Sequence, residues 1–351
     1  MPWTKVYSDR SEFDRRLGRE PGLRGRTYRE ALLEALSQVM EADKDVFVLG
    51  EGVDDVGGVF GTTKGLHERF GRVRVIDTPL AENGVTGVAI GAALAGMRPV
   101  LVHMRVDFLP LSLDQIANHA AKWHYMFGGK VRVPLTIRAI VGRGWGSAAQ
   151  HSQSLQALFA HIPGLKVVMP STPYDAKGLL ISSIYDNNPV IFIEHRWLYE
   201  HTGHLPEEVY RVPLAEASVR REGADVTVVA LSHMVYEAMN AAEELAGEGI
   251  ECEVVDLRTL KPLDSSIVFQ SVRKTGRLVV ADTGWKEYGA GAEVAAKVAE
   301  DEETFRALKG PVTRVALPDV PTPASHVLEK AFYRGRADII KAVKEALGRQ
   351  I

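Results

Sequence analysis

The chain has 351 residues, enough for about two domains of ordinary size with sizeable hydrophobic cores. With 42 Lys and Arg against 45 Asp and Glu its formal charge is −3, so no basic field exists for nucleic acid or anionic lipid, and proteins or small molecules are the expected partners. A single cysteine, Cys252, excludes an intrachain disulfide framework and any multi-cysteine zinc or iron–sulfur site, and reads as a plain buried thiol.

The first residues, MPWTKVYSDRSEFDRR, hold no apolar core for a signal peptide and carry Asp9, Glu12 and Asp14, unlike an acid-poor transit peptide. No apolar run is long enough to span a bilayer, so the expectation is a cytoplasmic protein. Residues 1–26 read as a charged arm. From Thr27 to Ala42 the chain places Ala31, Leu32, Leu36, Val39 and Met40 on one helical face. VFVLGEG then reads as a buried strand ending in glycine. The alternation continues through VRVIDT and the helix after it, PVLVHM with the helix LSLDQIANHAAKWHYMF, VPLTIRAIV, LKVVMPS with YDAKGLLISSIY, and PVIFIEH. Strands alternating with helices predict an α/β domain over 27–200, with a mainly parallel sheet covered on both faces.

Residues 201–222 shift to Pro, Glu and Arg without periodicity, as a linker does. A second α/β domain is predicted over 223–351, again parallel: VTVVAL, EAMNAAEELAGEG, ECEVVDLRTLKPLD, SSIVFQSVRKTG, RLVVADT, GAEVAAKVAED, VTRVALPD and DIIKAVKEALGR. No repeat at a solenoid period and no low-complexity tract interrupts it.

Several chemistries lack their signatures. GEGVDD has no third glycine for a dinucleotide fingerprint, and GAGAEV opens no ribose-binding pattern. GGVFGTTKG has the wrong spacing for a phosphate loop. Neither a G-x-S-x-G elbow nor an H-E-x-x-H pair occurs.

The most informative stretch is VIDTPLAENGVTGVAIGAALAG, residues 75–96, where Glu82 stands at the hand-over from strand to helix. A carboxylate there suits the positive end of a helix dipole, and Gly87, Gly91 and Ala95 make a small-residue stripe that permits a close approach within the fold or across a subunit interface. Phe108 lies in DFLPLSLDQIANHAAKW, and His151 follows the Gly- and Ala-rich loop GRGWGSAAQ, which reads as mobile and exposed.

Taken with GSAAQHSQSLQALFAHIPGLKVVMPSTPYDAKGLL, DNNPVIFIEHRWLY and LPDVPTPAS, these segments make the chain resemble a known family. It is similar, from about residue 27 to the end, to the β subunit of the thiamine-diphosphate-dependent E1 component of 2-oxoacid dehydrogenase complexes, within the wider transketolase group. The resemblance implies a pyrimidine-binding domain followed by a transketolase C-terminal domain. It implies that Glu82 hydrogen-bonds the aminopyrimidine of thiamine diphosphate, favouring the imino tautomer that takes the thiazolium proton. Phe108 would stack on the pyrimidine, and His151 would handle a proton at the reacting acyl group. It further implies a potassium ion held by Leu135, Ser183, Ile184, Asp186 and Asn188, mostly through carbonyls, although the DNN run also reads as an ordinary helix-ending turn.

No GDG occurs in the chain, so the resemblance assigns magnesium and the diphosphate to a separate α subunit in an α2β2 heterotetramer, with a lipoyl-bearing E2 protein as acyl acceptor and a small 2-oxoacid as substrate. His103, Arg105 and Asp107 depart from the pyruvate-type pattern and, on a strand, share one face. The substrate is therefore not carried over. Two other readings stand beside this one: a split transketolase-like enzyme that moves a ketol or acyl group to an aldehyde, and a noncatalytic scaffold subunit. AAQHSQ favours the dehydrogenase, and Glu82, Phe108 and His151 argue against the scaffold.

Overall fold

The computed structural model describes residues 5–17 and 20–349; residues 1–4 and 18–19 of the expected arm, and 350–351 of the expected second domain, lie outside the described residues. The chain divides into two compact units. One comprises residues up to Gly142 with Leu158–Leu214, and the other Arg143–Ala157 with the residues from Ala215 onward.

In the first unit the strands are β1 (Val6–Tyr7), β2 (Gly25–Thr27), β3 (Val46–Gly50), β4 (Val75–Asp77), β5 (Arg98–His103), β6 (Thr136–Val141), β7 (Lys166–Val168), β8 (Val190–His195) and β9 (Thr202–His204). The helices up to its end are α1 (Arg10–Leu17), α2 (Tyr28–Ala42), α3 (Leu66–Phe70), α4 (Glu82–Leu94), α5 (Ala121–Met126), α6 (Gln156–His161) and α7 (Pro173–Ile184). Six strands lie in the order β7-β8-β6-β5-β3-β4, all parallel. VFVLG and VIFIEH are buried at every position, as expected of strands covered on both faces. The helix starts are chemically marked. Thr27 and Glu30 form a reciprocal capping box on α2, and the Thr172 hydroxyl accepts from Asp175 N at 3.0 Å with Pro173 in the first turn of α7.

The sheet encloses an ion pair. Arg138 Nε and Nη2 meet Glu194 Oε1 and Oε2 at 2.5 and 2.9 Å, both side chains fully buried, and the Tyr199 hydroxyl donates to Glu194 Oε2 at 2.7 Å. A bidentate pair with a third donor is how two charges are held inside a core.

Three expectations are corrected here. The charged arm carries β1 and α1, with Phe13 buried edge-on to Tyr7 at 5.8 Å, and the linker carries β9; together β1, β9 and β2 form an antiparallel sheet. These strands of two or three residues are too short to show a period. The single helix expected over 111–127 is three pieces: a 3₁₀ helix at Val106–Ser112, a π-turn at Gln115–Ala120, and α5. Pro110, which has no N–H to donate, sits in the first of them.

In the second unit the strands are β10 (Ser218–Arg221), β11 (Val226–Ala230), β12 (Cys252–Asp256), β13 (Thr259–Lys261), β14 (Leu278–Trp285) and β15 (Thr313–Leu317). The helices are α8 (His233–Ala246), α9 (Ser265–Thr275), α10 (Ala290–Glu300), α11 (Glu302–Ala307), α12 (His326–Phe332) and α13 (Arg336–Ala346). Five strands run β10-β12-β11-β14-β15. Alternation along β11 decides the layers: Val226, Val228 and Ala230 pack with Met234, Ala238, Ile339 and Val343 of α8 and α13, while Val229 packs with Val268, Val272, Val294 and Val298 of α9 and α10. The sheet is not wholly parallel. The edge strand β10, from the expected linker, is antiparallel to β12 and brings Arg220 onto Asp256 at 2.6 Å, both side chains buried.

Candidate active site

In open parallel sheets the carboxyl ends of the strands present the loops that bind ligands. Strand β3 ends at Gly50, whose φ is +148° and where a Cβ would come within 2.3 Å of the Val102 carbonyl oxygen, so glycine is required. Glu51 follows. Asp77, at the end of β4, accepts from Gly52 N at 2.6 Å, tying the two strand ends together. Burial, then the charges of Glu82 and Asp77, push the Glu51 carboxyl above its ordinary pKa. Glu51 was not singled out in the sequence, where GEGVDD counted only as an incomplete nucleotide motif; its signal is a carboxylate just past a fully apolar strand.

Glu82 is the first residue of α4, half-buried, and its carboxylate makes no hydrogen bond to any described residue. Ala81 at the N-cap supplies no side-chain cap, so the amides at this end of the helix keep their positive field. The 3₁₀ helix bearing Phe108 packs against α4. Thr86 Oγ1 lies 2.7 Å from the Glu82 carbonyl and 2.9 Å from Ser112 Oγ. On the same side of α4, Gln115 Oε1 would stand 3.4 Å from a Cβ at Gly87, which explains one residue of the small stripe. Phe108 is half-buried, its amide donating to the Arg105 carbonyl at 3.3 Å. The fold thus brings the elements of Glu82 and Phe108 together in the first unit.

His151 is carried by the second unit. Its loop, residues 143–157, which the sequence reading placed within residues 27–200, hydrogen-bonds to residues 282–334. At its start, Gly144 N donates to the Tyr333 hydroxyl at 3.0 Å, Gly146 N to Glu329 Oε1 at 3.0 Å and Arg143 Nη2 to the Arg334 carbonyl at 2.9 Å. Farther along, His151 is exposed, as the Gly- and Ala-rich composition suggests, and Trp145 near the start is exposed too.

His103, Arg105 and Asp107 do not share a strand face, because β5 ends at His103 and the 3₁₀ helix starts at Val106. His103 is buried, and burial pushes its imidazole down to about 4, so it is neutral at pH 7. Arg105 and Arg196 both lie on the Phe60 ring, 5.2 and 3.9 Å from its centre.

Leu135, Ser183, Ile184, Asp186 and Asn188 gather where α7 ends and the chain turns into β8, a place where carbonyl dipoles favour a cation. A cation is already there. Arg98 Nη1 donates to the Ile184 and Asp186 carbonyls at 3.1 and 3.3 Å, and Lys166 pairs with the Asp186 carboxylate. The Leu135 carbonyl accepts from Val190 N at 2.9 Å. Each carbonyl keeps a second lone pair, so the donor set suits a monovalent ion with Arg98 as its competitor.

Residues 24–202 match the transketolase pyrimidine-binding domain and residues 215–339 the transketolase C-terminal domain. The chain is 48% identical to the acetoin:2,6-dichlorophenolindophenol oxidoreductase subunit beta of Cupriavidus necator, covering 90% of this chain and 96% of that one. The chain belongs to the E1 β-subunit family. To the pyruvate dehydrogenase E1 component subunit beta of Rickettsia felis this E1 β family member is 45% identical, over 91% of its own length and 97% of the relative's. Among solved structures it resembles a split-gene transketolase described as an inactive β4 tetramer, with a TM-score of 0.73 at 25% identity over 92% of this chain and 99% of that one. The two-domain α/β architecture is the one this family shares. No helix among the described residues is long and apolar enough to cross a membrane.

Proposed function

We propose that this E1 β subunit supplies the pyrimidine half of a thiamine-diphosphate site in a cytoplasmic α2β2 enzyme. The α subunit brings magnesium and the diphosphate contacts, and the reaction is oxidative decarboxylation of a 2-oxoacid with acyl transfer to a lipoyl group on an E2 protein. The observation that carries this is Glu82, a half-buried carboxylate at a helix start with no hydrogen-bond partner among the described residues, beside the turn that presents Phe108. A carboxylate without a partner is fitted to a ligand that donates to it.

When bound, thiamine diphosphate supplies the electron sink for decarboxylation. Glu82 holds a proton at the pyrimidine nitrogen, and Phe108 packs its flat ring on the pyrimidine and excludes water. His151 moves a proton at the acyl group as it passes to the acceptor. Leu135, Ser183, Ile184, Asp186 and Asn188 hold potassium in competition with Arg98.

The test is reconstitution with an α subunit bearing a GDG motif. Ferricyanide reduction dependent on a 2-oxoacid is expected from the mixture and from neither chain alone. Calorimetry showing tight magnesium-dependent thiamine diphosphate binding by the isolated β chain would overturn the shared site. The likeness to a split-gene transketolase favours a second reading, in which ketose donors and aldehydes, rather than 2-oxoacids, support turnover.

A further inference from the structure

The loop that bears His151 is pinned at two feet, and its far foot is unusually well built. Gln156 is buried and both polar atoms of its amide are used: Nε2 donates to Asp282 Oδ1 at 2.7 Å, and Oε1 accepts from Ser154 Oγ at 2.8 Å. Ser154 Oγ also lies 2.7 Å from Thr283 Oγ1, so adjacent residues at the end of β14 hold alternate residues of the loop. Gly284 makes the room, since a Cβ there would stand 2.7 Å from Gln156 Nε2.

Asp282 is a fixed post rather than a passive acceptor. Its Oδ1 also accepts from Gly284 N at 3.0 Å and its Oδ2 from Ala290 N, the first residue of α10, at 2.9 Å. The carboxylate is thereby held by its own strand end and by a helix start before Gln156 reaches it. The near foot at Arg143–Gly146 rests on Glu329, Tyr333 and Arg334. Between the feet lie residues 147–153, with His151 three positions from Ser154.

We infer that Gln156 and Asp282 are positioning residues for His151: their buried hydrogen bond fixes the far foot of the loop and so the place of the imidazole at its crest. The inference rests on the proposed role of His151 in proton handling during acyl transfer. A reacting group held within a fraction of an ångström is worth far more than the same group on a free arc, because orientation is set before the substrate arrives. The bond is dispensable to the body of the second unit, since Asp282 keeps a backbone donor on each oxygen without Gln156.

The test uses the assembled α/β enzyme carrying Gln156→Met, which keeps length and volume but cannot donate. Two readouts are taken: hydrogen exchange at amides 147–153, and the split between ferricyanide-linked decarboxylation and transfer to a lipoyl acceptor. Exchange in the loop is expected to rise by about tenfold, the scale of one hydrogen bond to a charged group. Acyl transfer is expected to fall by a similar factor, with the 2-oxoacid KM unchanged. Ser154→Ala, which leaves the Asp282 bond in place, is expected to show a smaller change in both and serves if the first variant assembles poorly. Unchanged exchange overturns the inference, as does faster exchange with acyl transfer intact. A wild-type complex that turns over no 2-oxoacid defeats the functional reading instead, and exchange still decides the anchoring.

Discussion

Glu51 and Glu82 stand at the ends of neighbouring chain segments as two half-buried carboxylates whose charges oppose each other, and Glu51 holds its proton more tightly as a result of burial and of that neighbour. The arrangement separates their roles. Glu82 has the helix start for support, and Glu51 has none.

Glu82→Gln is expected to assemble with an α subunit normally and to lose about 10²- to 10⁴-fold in 2-oxoacid turnover, the range for removing a group that handles a proton. Steady-state ferricyanide assays with size-exclusion profiles check it. Full activity in the assembled variant would support a scaffold role.

Glu51→Gln is expected to stabilise the chain at neutral pH. The folded pKa is raised above its ordinary 4.5, so the group favours folding below that value and this contribution is lost as pH rises through the folded pKa. The variant's gain in Tm is therefore expected at pH 7 and absent near pH 4, by thermal melts at both.

Removing one partner of the buried Arg138–Glu194 pair leaves an uncompensated charge in the sheet. Arg138→Met is expected to cost about 3–5 kcal/mol in urea unfolding, and the double variant Arg138→Met with Glu194→Leu less than that.

Arg98→Met withdraws the guanidinium from the Ile184 and Asp186 carbonyls. Potassium is expected to raise the Tm of the variant more than that of the wild type, with choline as the control for ionic strength. Equal responses would mean that Arg98 and the ion do not compete.

The two domains were legible because runs such as VFVLG, VIFIEH and VTVVA are mostly apolar without alternation, as strands covered on both faces are, and all three are buried at every position. The place of Glu82 at a helix start was legible for a similar reason: a turn and a glycine-rich helix bracket it. The small sheet of β1, β2 and β9 was not, because Thr202–His204 and its partners are short and half polar and are defined by pairing across 180 residues of chain rather than by local pattern. The contacts of residues 143–157 were hidden in the same way. Nothing within GRGWGSAAQHSQSLQ announces that Gln156 meets Asp282 or that Gly146 meets Glu329, since those bonds depend on residues more than a hundred positions later.

That discontinuity bears on how the protein is made. During synthesis the His151 segment leaves the ribosome well before Asp282, Glu329 and Tyr333 have been translated, so its resting place does not yet exist. A truncated nascent chain can complete much of its first sheet, yet it cannot set this histidine. The order of translation makes a finished carboxyl-terminal half the precondition for an anchored loop.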